Sequence, residues 1–148
     1  LDNKVDNIPR EIVLDNKYFI GVTGEIAKEL KVQAQDIRTD PVLQDIDILF
    51  IAGGIYAGKN SSPLLEYVNQ ISAEQVKRVF LITSSASGKT PQAMVRNELV
   101  KKGIPVDRDE FVCKGSFLFI SAGHPTSEEI EAAVSFAKSK VSHPKSFV

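Results

Sequence analysis

Two clusters of small residues follow apolar segments of this sequence, and the first contains a tyrosine. The clusters are Gly53, Gly54, Ile55, Tyr56, Ala57 and Gly58, and then Thr83, Ser84, Ser85, Ala86, Ser87 and Gly88. Glycine lets a backbone approach a ligand closely, and tyrosine offers a flat face on which a planar ring can stack. Serine and threonine hydroxyls add hydrogen-bonding groups. These residue types predict a binding site for a flat ligand.

Each cluster comes directly after a segment typical of a buried parallel strand. Residues 48–52 and 78–82 are short, apolar and rich in β-branched residues, as expected for strands that are covered on both faces. In open α/β sheets, ligands bind in the crevice outside the carboxyl ends of such strands. We therefore expect both clusters to lie at one edge of a parallel sheet.

Helix signals alternate with these strands from about residue 26 onward. Residues 32–37 alternate apolar and polar residues, as an edge strand does. Helices are predicted after Ser61 and Ser62, from Thr90-Pro91 to Lys102 with Gly103 as the stop, and after the capping box of Thr126 to Glu129. The residues predicted to face the sheet are Leu64, Leu65, Val68 and Ile71, then Met94, Val95, Leu99 and Val100, then Ile130, Ala133, Val134, Ala137 and Val141. This alternation predicts a parallel sheet with helices on both faces.

The first strand has two possible registers. In one, residues 11–14 form the strand, Asp15-Asn16-Lys17 forms the loop, and a helix runs through Val22, Ile26 and Leu30. In the other, residues 18–22 form the strand, and Thr23-Gly24-Glu25 forms a shortened loop. The first register is favoured because it preserves a helix of ordinary length.

Composition favours one compact domain. The chain has 148 residues, 43% hydrophobic and 25% charged, with a net charge of -1, so one core is expected over residues 1–148, with loose termini at 1–9 and 142–148. The near-zero charge argues against nucleic acid and anionic membranes as partners. A polar amino terminus, the absence of a membrane-length apolar run, and a lone cysteine predict a cytoplasmic protein.

The remaining reactive residue types give no chemical pattern. His124 and His143 lack metal-ligand spacing, so no metal site is expected. Cys113 lies in an apolar, strand-like segment, where cysteine usually behaves as a small hydrophobe. No catalytic residue is predicted.

Taken in order, these motifs resemble a flavodoxin-type domain over about residues 26–141. Residues 106–125, which include Gly123-His124-Pro125, are similar to the fifth-strand region of a compact bacterial branch of these proteins. The resemblance implies a doubly wound α/β fold, a three-layer sandwich whose five-stranded parallel sheet has the order 2-1-3-4-5. It also implies non-covalently bound FMN, with Tyr56 stacked on the ring, Gly53-Gly54 near its N5 edge, and residues 83–88 along its pyrimidine end.

The sequence departs from the family at the phosphate-binding loop. Flavodoxin-like proteins hold the FMN phosphate in a Ser/Thr-rich loop after the first strand, and neither register reproduces that loop. In the favoured register Asp15 stands there, where its charge would repel a phosphate. The function that the resemblance implies is an FMN-binding electron-transfer protein with a redox partner protein. The alternatives are a flavodoxin-fold interaction module that has lost FMN, or a flavin-dependent reductase of unknown substrate.

Overall fold

A computed structural model describes residues 8–15, 20–114 and 126–142 of the chain. Within these residues the strands are β1 (Arg10–Leu14), β2 (Ala34–Asp36), β3 (Ile48–Ile55), β4 (Val79–Ser85) and β5 (Val106–Lys114). The helices are α1 (Ile20–Leu30), α2 (Ser62–Gln70), α3 (Ala93–Lys101) and α4 (Ser127–Ser142), and a 3-10 turn follows β2 at Ile37–Thr39. None of the described helices is long and apolar enough to cross a membrane.

The five strands form a parallel sheet of order β2-β1-β3-β4-β5. This arrangement confirms the predicted fold class and strand order. The strand order reverses between β1 and β3, where Leu14 pairs with Ala52. Next to them, Ile55 of β3 pairs with Ser85 of β4, so the two strands that carry the predicted clusters end side by side.

The sheet is covered on both faces because alternate residues of β3 and β4 point to opposite sides. Phe50 and Phe80 lie on one face with α1 and α4, and their ring centroids are 5.4 Å apart. Leu49 and Leu81 lie on the other face with α2 and α3. All four side chains are buried, which explains why these strands are continuous apolar runs.

The structure settles the register of the first strand. Residues 11–14 lie in β1, and Val22, Ile26 and Leu30 are buried along one face of α1 at a spacing of four residues. The favoured register is confirmed. The alternative strand over residues 18–22 is wrong, since residues 20–22 belong to the helix.

The structure confirms three of the predicted helix caps but not the start of α3 or all of the predicted buried faces. Helix α3 begins at Ala93, after the N-cap Gln92, and not directly after Thr90-Pro91. Ser61 caps α2, Gly103 has a φ of +76°, and Thr126 and Glu129 exchange both capping-box hydrogen bonds, at 2.9 and 3.1 Å. Met94 and Val100, however, are 41% and 62% exposed. The prediction that they face the sheet is wrong, because Val95 and Leu99, four residues apart, already fill the buried stripe of this short helix.

Several strand boundaries also differ from those predicted. Strand β3 extends three residues beyond Ala52, β4 extends three residues beyond Ile82, and the edge strand β2 is shorter than residues 32–37. Residues 53–55 and 83–85 are therefore paired strand residues and not loops. Residues 1–7, 16–19, 115–125 and 143–148, including Gly123-His124-Pro125, lie outside the described residues.

Candidate functional site

Tyr56 begins a tight turn at the carboxyl end of β3. Tyr56 and Lys59 exchange two backbone hydrogen bonds, of 2.9 and 3.0 Å. Ala57 and Gly58, between them, have φ values of +53° and +78°, the pair of positive φ angles that a two-residue hairpin turn requires. We call residues 56–59 the tyrosine turn. The Tyr56 side chain is 47% exposed on it, so it presents an aromatic surface at the edge of the sheet.

Gly53 has a packing role that the sequence did not reveal. It is buried inside β3, and a Cβ atom built on it would lie 2.6 Å from both Gln92 Oε1 and Leu64 Cδ2. The missing side chain thus lets α2 and the segment before α3 pack directly against the strand. Gly54 points to the opposite face, and both Gly54 and Ile55 are half-buried.

The serine-rich cluster is divided between strand and loop. Thr83, Ser84 and Ser85 are buried in β4, whereas Ala86 and Ser87 are exposed beyond it. The Ser85 hydroxyl oxygen accepts hydrogen bonds from the backbone N–H groups of Gly88 at 3.0 Å and Thr90 at 3.2 Å.

Gly88 has a φ of +77°, and this conformation turns the chain back over Ser85. We call residues 86–92 the serine loop. Its backbone folds around the buried hydroxyl of Ser85, the last residue of β4.

Gln92 connects the serine loop to the tyrosine turn. Its side chain is fully buried. Gln92 Nε2 donates to Ile82 O and Thr83 Oγ1, both at 3.0 Å, and Gln92 Oε1 accepts from Asn60 Nδ2 at 3.0 Å. Because Asn60 directly follows the tyrosine turn, one amide side chain fixes the bases of both segments relative to the sheet.

Glu110 of β5 completes this network. Its side chain is only 6% exposed. Oε2 accepts from Thr83 Oγ1 at 2.5 Å and from the Gln92 N–H at 2.7 Å, while Oε1 accepts from Arg96 Nη2 at 3.0 Å. Charge-assisted hydrogen bonds of this kind are short and strong. The carboxylate therefore ties β4, the serine loop and α3 to β5.

Asp15 occupies the start of the first loop, next to the reversal of strand order. Its N–H donates to Ala52 O at 3.1 Å, which extends the β1–β3 pairing by one residue. The side chain is 7% exposed, and its Oδ2 accepts a hydrogen bond of 2.5 Å from the Ser61 hydroxyl. Arg38 Nη2 lies 3.6 Å from Asp15 Oδ1. A buried carboxylate thus faces the N-terminus of α2.

The described residues fit a flavin ring better than they fit the phosphate of FMN. Tyr56 is exposed at the end of β3, beside the serine loop, whose base is held by the hydrogen bonds of Gln92. This arrangement suits a planar ring. A phosphate needs N–H donors or cations, and the described residue at the first loop is instead the acid Asp15. The rest of that loop, residues 16–19, lies outside the described residues.

Cys113 is not poised for redox or nucleophilic chemistry. It is buried against the core, and burial together with nearby Glu129 raises the pKa of its thiol to about 12. The thiol therefore stays protonated at neutral pH, in agreement with its predicted role as a small hydrophobe. Among the described residues, no three His, Cys, Asp or Glu side chains are grouped so that they could hold a metal ion.

One relative by sequence is an archaeal protein. The chain is 28% identical over 132 residues to an uncharacterized protein of Methanocaldococcus jannaschii, a match that covers 80% of this chain and 86% of that protein. No protein-family model matches the chain.

The structure is similar to several solved flavodoxin-type structures. A flavodoxin from the domain Archaea superposes with a TM-score of 0.67 at 11% identity, over 91% of this chain and 99% of that one. The rubredoxin:oxygen oxidoreductase of Desulfovibrio gigas gives 0.70 at 11% identity, over 95% of this chain, which spans only 37% of the oxidoreductase. General stress protein 14 of Treponema denticola, solved in complex with FMN, gives 0.54 at 11% identity, over 90% and 98%. Together with the order of its parallel strands, these likenesses show that the chain has the flavodoxin-like fold.

Proposed function

We propose that this protein binds a flavin at the carboxyl edge of its sheet and carries electrons between partner proteins. FMN is the cofactor that the family resemblance suggests. The predicted ring-site residues are Gly53 to Gly58 and Thr83 to Gly88. Gly53 and Thr83 are buried and support the site from within the sheet, whereas Tyr56, Ala57, Gly58, Ala86 and Ser87 are accessible to a ring.

The observation that carries the proposal is the exposed Tyr56 on a turn whose position is fixed. Tyr56 is 47% exposed at the end of β3, and Asn60 and Gln92 join the base of its turn to the serine loop through a buried hydrogen bond of 3.0 Å. Preorganised loops bind a ligand at a lower entropic cost than mobile ones. A fixed aromatic surface beside a second fixed loop is therefore suited to a planar ring.

A bound flavin supplies the redox chemistry, and the protein tunes it through stacking, nearby charge and hydrogen bonds. Electron transfer between proteins needs no substrate-specific acid or base. An archaeal flavodoxin and an oxidoreductase share this fold, so the choice of a carrier over a reductase of unknown substrate rests on the family resemblance of the sequence. A redox partner protein is part of this proposal.

A flavin titration tests the proposal. Apoprotein is titrated with riboflavin and with FMN, and binding is followed by the quenching of flavin fluorescence. We expect saturable binding that Tyr56→Ala weakens about tenfold, since aromatic stacking contributes about 0.5–1.5 kcal/mol beyond area burial. Tyr56→Phe should retain most of the affinity because it keeps the ring.

Val100→Ala is the matched control for the tyrosine variant. Val100 is also an exposed apolar residue, 62% accessible, but it lies at the end of α3 that returns to the opposite edge of the sheet. This variant should bind flavin like the wild type. Equal effects of Tyr56→Ala and Val100→Ala would contradict the assignment of the ring site.

The second candidate is an interaction module without a cofactor. The buried Asp15 carboxylate, at the point where the resemblance places a phosphate, favours it. Failure of both riboflavin and FMN to bind would support this candidate. Binding of flavin, followed by turnover of a small molecule without a partner protein, would instead support a reductase.

A further inference from the structure

The buried carboxylate of Asp15 has one oxygen that is not hydrogen-bonded. Oδ2 accepts from the Ser61 hydroxyl at 2.5 Å, but Oδ1 accepts no hydrogen bond from the part of the chain that the structure describes. Asp15 as a whole is 5% exposed. A buried acceptor without a donor is unfavourable, so this oxygen marks a place for a ligand group that can donate one.

Arg38 does not fill that place. Its Nη2 lies 3.6 Å from Asp15 Oδ1, which is beyond hydrogen-bonding distance. Its Nη1 donates to the backbone oxygen of Asp15 at 2.7 Å and to Asp36 Oδ1 at 3.2 Å. Two carboxylates therefore share this guanidinium, and the group of Asp15, Asp36 and Arg38 sums to one negative charge.

Asp15 also lies next to the point where the strand order reverses. The strand order reverses between β1 and β3, and the crevice at such a reversal is the usual ligand position in open α/β sheets. Asp15 is fixed at that point by the bond from its N–H to Ala52 O at 3.1 Å. A ligand arm that extended from the ring site toward β1 would therefore run toward Asp15.

A phosphate and a hydroxyl differ in charge and in whether they can donate a hydrogen bond to Asp15 Oδ1. A phosphate at neutral pH is an anion with acceptor oxygens, so it offers Asp15 Oδ1 no donor and adds a like charge. A hydroxyl is neutral and donates one hydrogen bond. The ribityl chain of riboflavin carries several hydroxyls and ends without a phosphate.

We propose that the site selects an unphosphorylated flavin, such as riboflavin, through Asp15 and discriminates against FMN. This inference rests on the proposed flavin-binding function. Asp15 is then a specificity-determining residue, which accepts a hydrogen bond from a hydroxyl of the ligand's arm and excludes its phosphorylated form.

The test is the ratio of the FMN and riboflavin dissociation constants, measured by fluorescence titration of the whole chain. The wild type should bind riboflavin on the order of tenfold more tightly than FMN, or more, given the cost of opposing like charges near a protein surface. Asp15→Asn should lower that ratio to about one, since the amide is neutral and offers the phosphate a donor.

Asp36→Asn is the matched control. This variant also removes one negative charge, because Asp36 is the second carboxylate that pairs with Arg38. The side chain of Asp36 is 37% exposed, whereas that of Asp15 is 7% exposed. We expect it to leave the preference for riboflavin largely intact. An equal loss of preference in both variants would show a general charge effect and would overturn the role of Asp15.

Wild-type protein alone provides a second readout, which does not depend on the folding of a variant. Salt screens charge repulsion. Raising the salt concentration should therefore lower the ratio of the FMN to the riboflavin dissociation constant, mainly because FMN binds more tightly. FMN binding as tightly as riboflavin, or more tightly, at low salt would overturn this inference and leave the proposed function intact. Failure of both ligands to bind would remove the proposed function itself, and this inference with it.

Discussion

Gly53 shows how one missing side chain sets the packing beneath the candidate site. A Cβ atom there would lie 2.6 Å from Gln92 Oε1 and from Leu64 Cδ2. We predict that Gly53→Ala lowers the free energy of unfolding by about 1–3 kcal/mol, the usual cost of overpacking a filled interior. Urea denaturation measures this change.

Gly24 provides the control for that substitution. It is exposed in α1, and nothing lies within 4 Å of the Cβ that an alanine would add. Gly24→Ala should raise the unfolding free energy by about 0.5–1 kcal/mol, because alanine loses less backbone entropy in a helix. Two variants of equal stability would contradict the packing account of Gly53.

The sequence could not separate packing from binding at Gly53. Both roles require a missing Cβ, and the face toward which a strand residue points depends on the register with β4, where Gly53 pairs with Thr83. The exposure of Tyr56 was predictable, since a tyrosine between glycines just beyond an apolar strand is typical of an exposed turn.

At the scale of elements, Glu110 joins β5 to β4 and to the segment before α3. We predict that Glu110→Gln lowers the unfolding free energy by about 3 kcal/mol, because it removes the buried charge and replaces one acceptor oxygen with an NH2 donor, so that not all of its partners keep an acceptor. The partners are Thr83 Oγ1, the Gln92 N–H and Arg96 Nη2. Urea denaturation measures the loss.

The matched control for Glu110 is Glu98→Gln. Glu98 pairs with Lys101 within α3 at 3.9 Å, and the side chain of Lys101 is 78% exposed. Exposed pairs of this kind contribute about 0.3–0.5 kcal/mol. A loss at Glu110 no larger than the loss at Glu98 would show that the network does not stabilise the fold.

This network was not predictable from local sequence patterns. Asn60 and Gln92 are separated by 32 residues, and Gln92 and Glu110 by 18, so no helical or strand period relates them. Glu110 also lies in the charged run Asp107-Arg108-Asp109-Glu110, which resembles a solvated surface. Only the pairing of β4 with β5 brings its carboxylate to the interior.

At the scale of the whole molecule, burial of Cys113 predicts how stability depends on pH. Its thiol pKa is raised from 9.0 to about 12 by burial and by Glu129. Above pH 9 the unfolded chain releases this proton while the folded chain keeps it, so deprotonation favours the unfolded state. The unfolding free energy should therefore fall as pH rises from 9, at up to about 1.4 kcal/mol per pH unit.

Cys113→Ala should flatten that fall between pH 9 and 10, measured by urea denaturation at each pH. Tyr67→Phe is the comparison, because burial raises the pKa of Tyr67 from 10.0 to about 12 and its contribution begins only above pH 10. A slope below pH 10 that survives Cys113→Ala and disappears in Tyr67→Phe would contradict this assignment.

The overall fold was largely predictable because its signals are local and repeated. The apolar segments predicted β3 and β4, the serine cap before Pro63 predicted α2, and the capping box predicted α4. Their alternation implied parallel pairing. Strand ends were less predictable, since Gly53 and Gly54 suggest a turn even though β3 continues through them to Ile55. The position of Asp15 in the first loop was predictable, but its partners were not, because Ser61 is the cap of α2 and Arg38 lies beyond β2.

The central claim is that a flavin ring binds between the tyrosine turn and the serine loop. Backbone amide NMR of isotope-labelled protein titrated with riboflavin tests it most directly. The account predicts chemical-shift changes concentrated at residues 54–58 and 84–88, with smaller changes elsewhere. It would be contradicted by unchanged spectra, or by shifts confined to another place such as the 160 Å³ groove lined by Arg38, Tyr67 and Gln70.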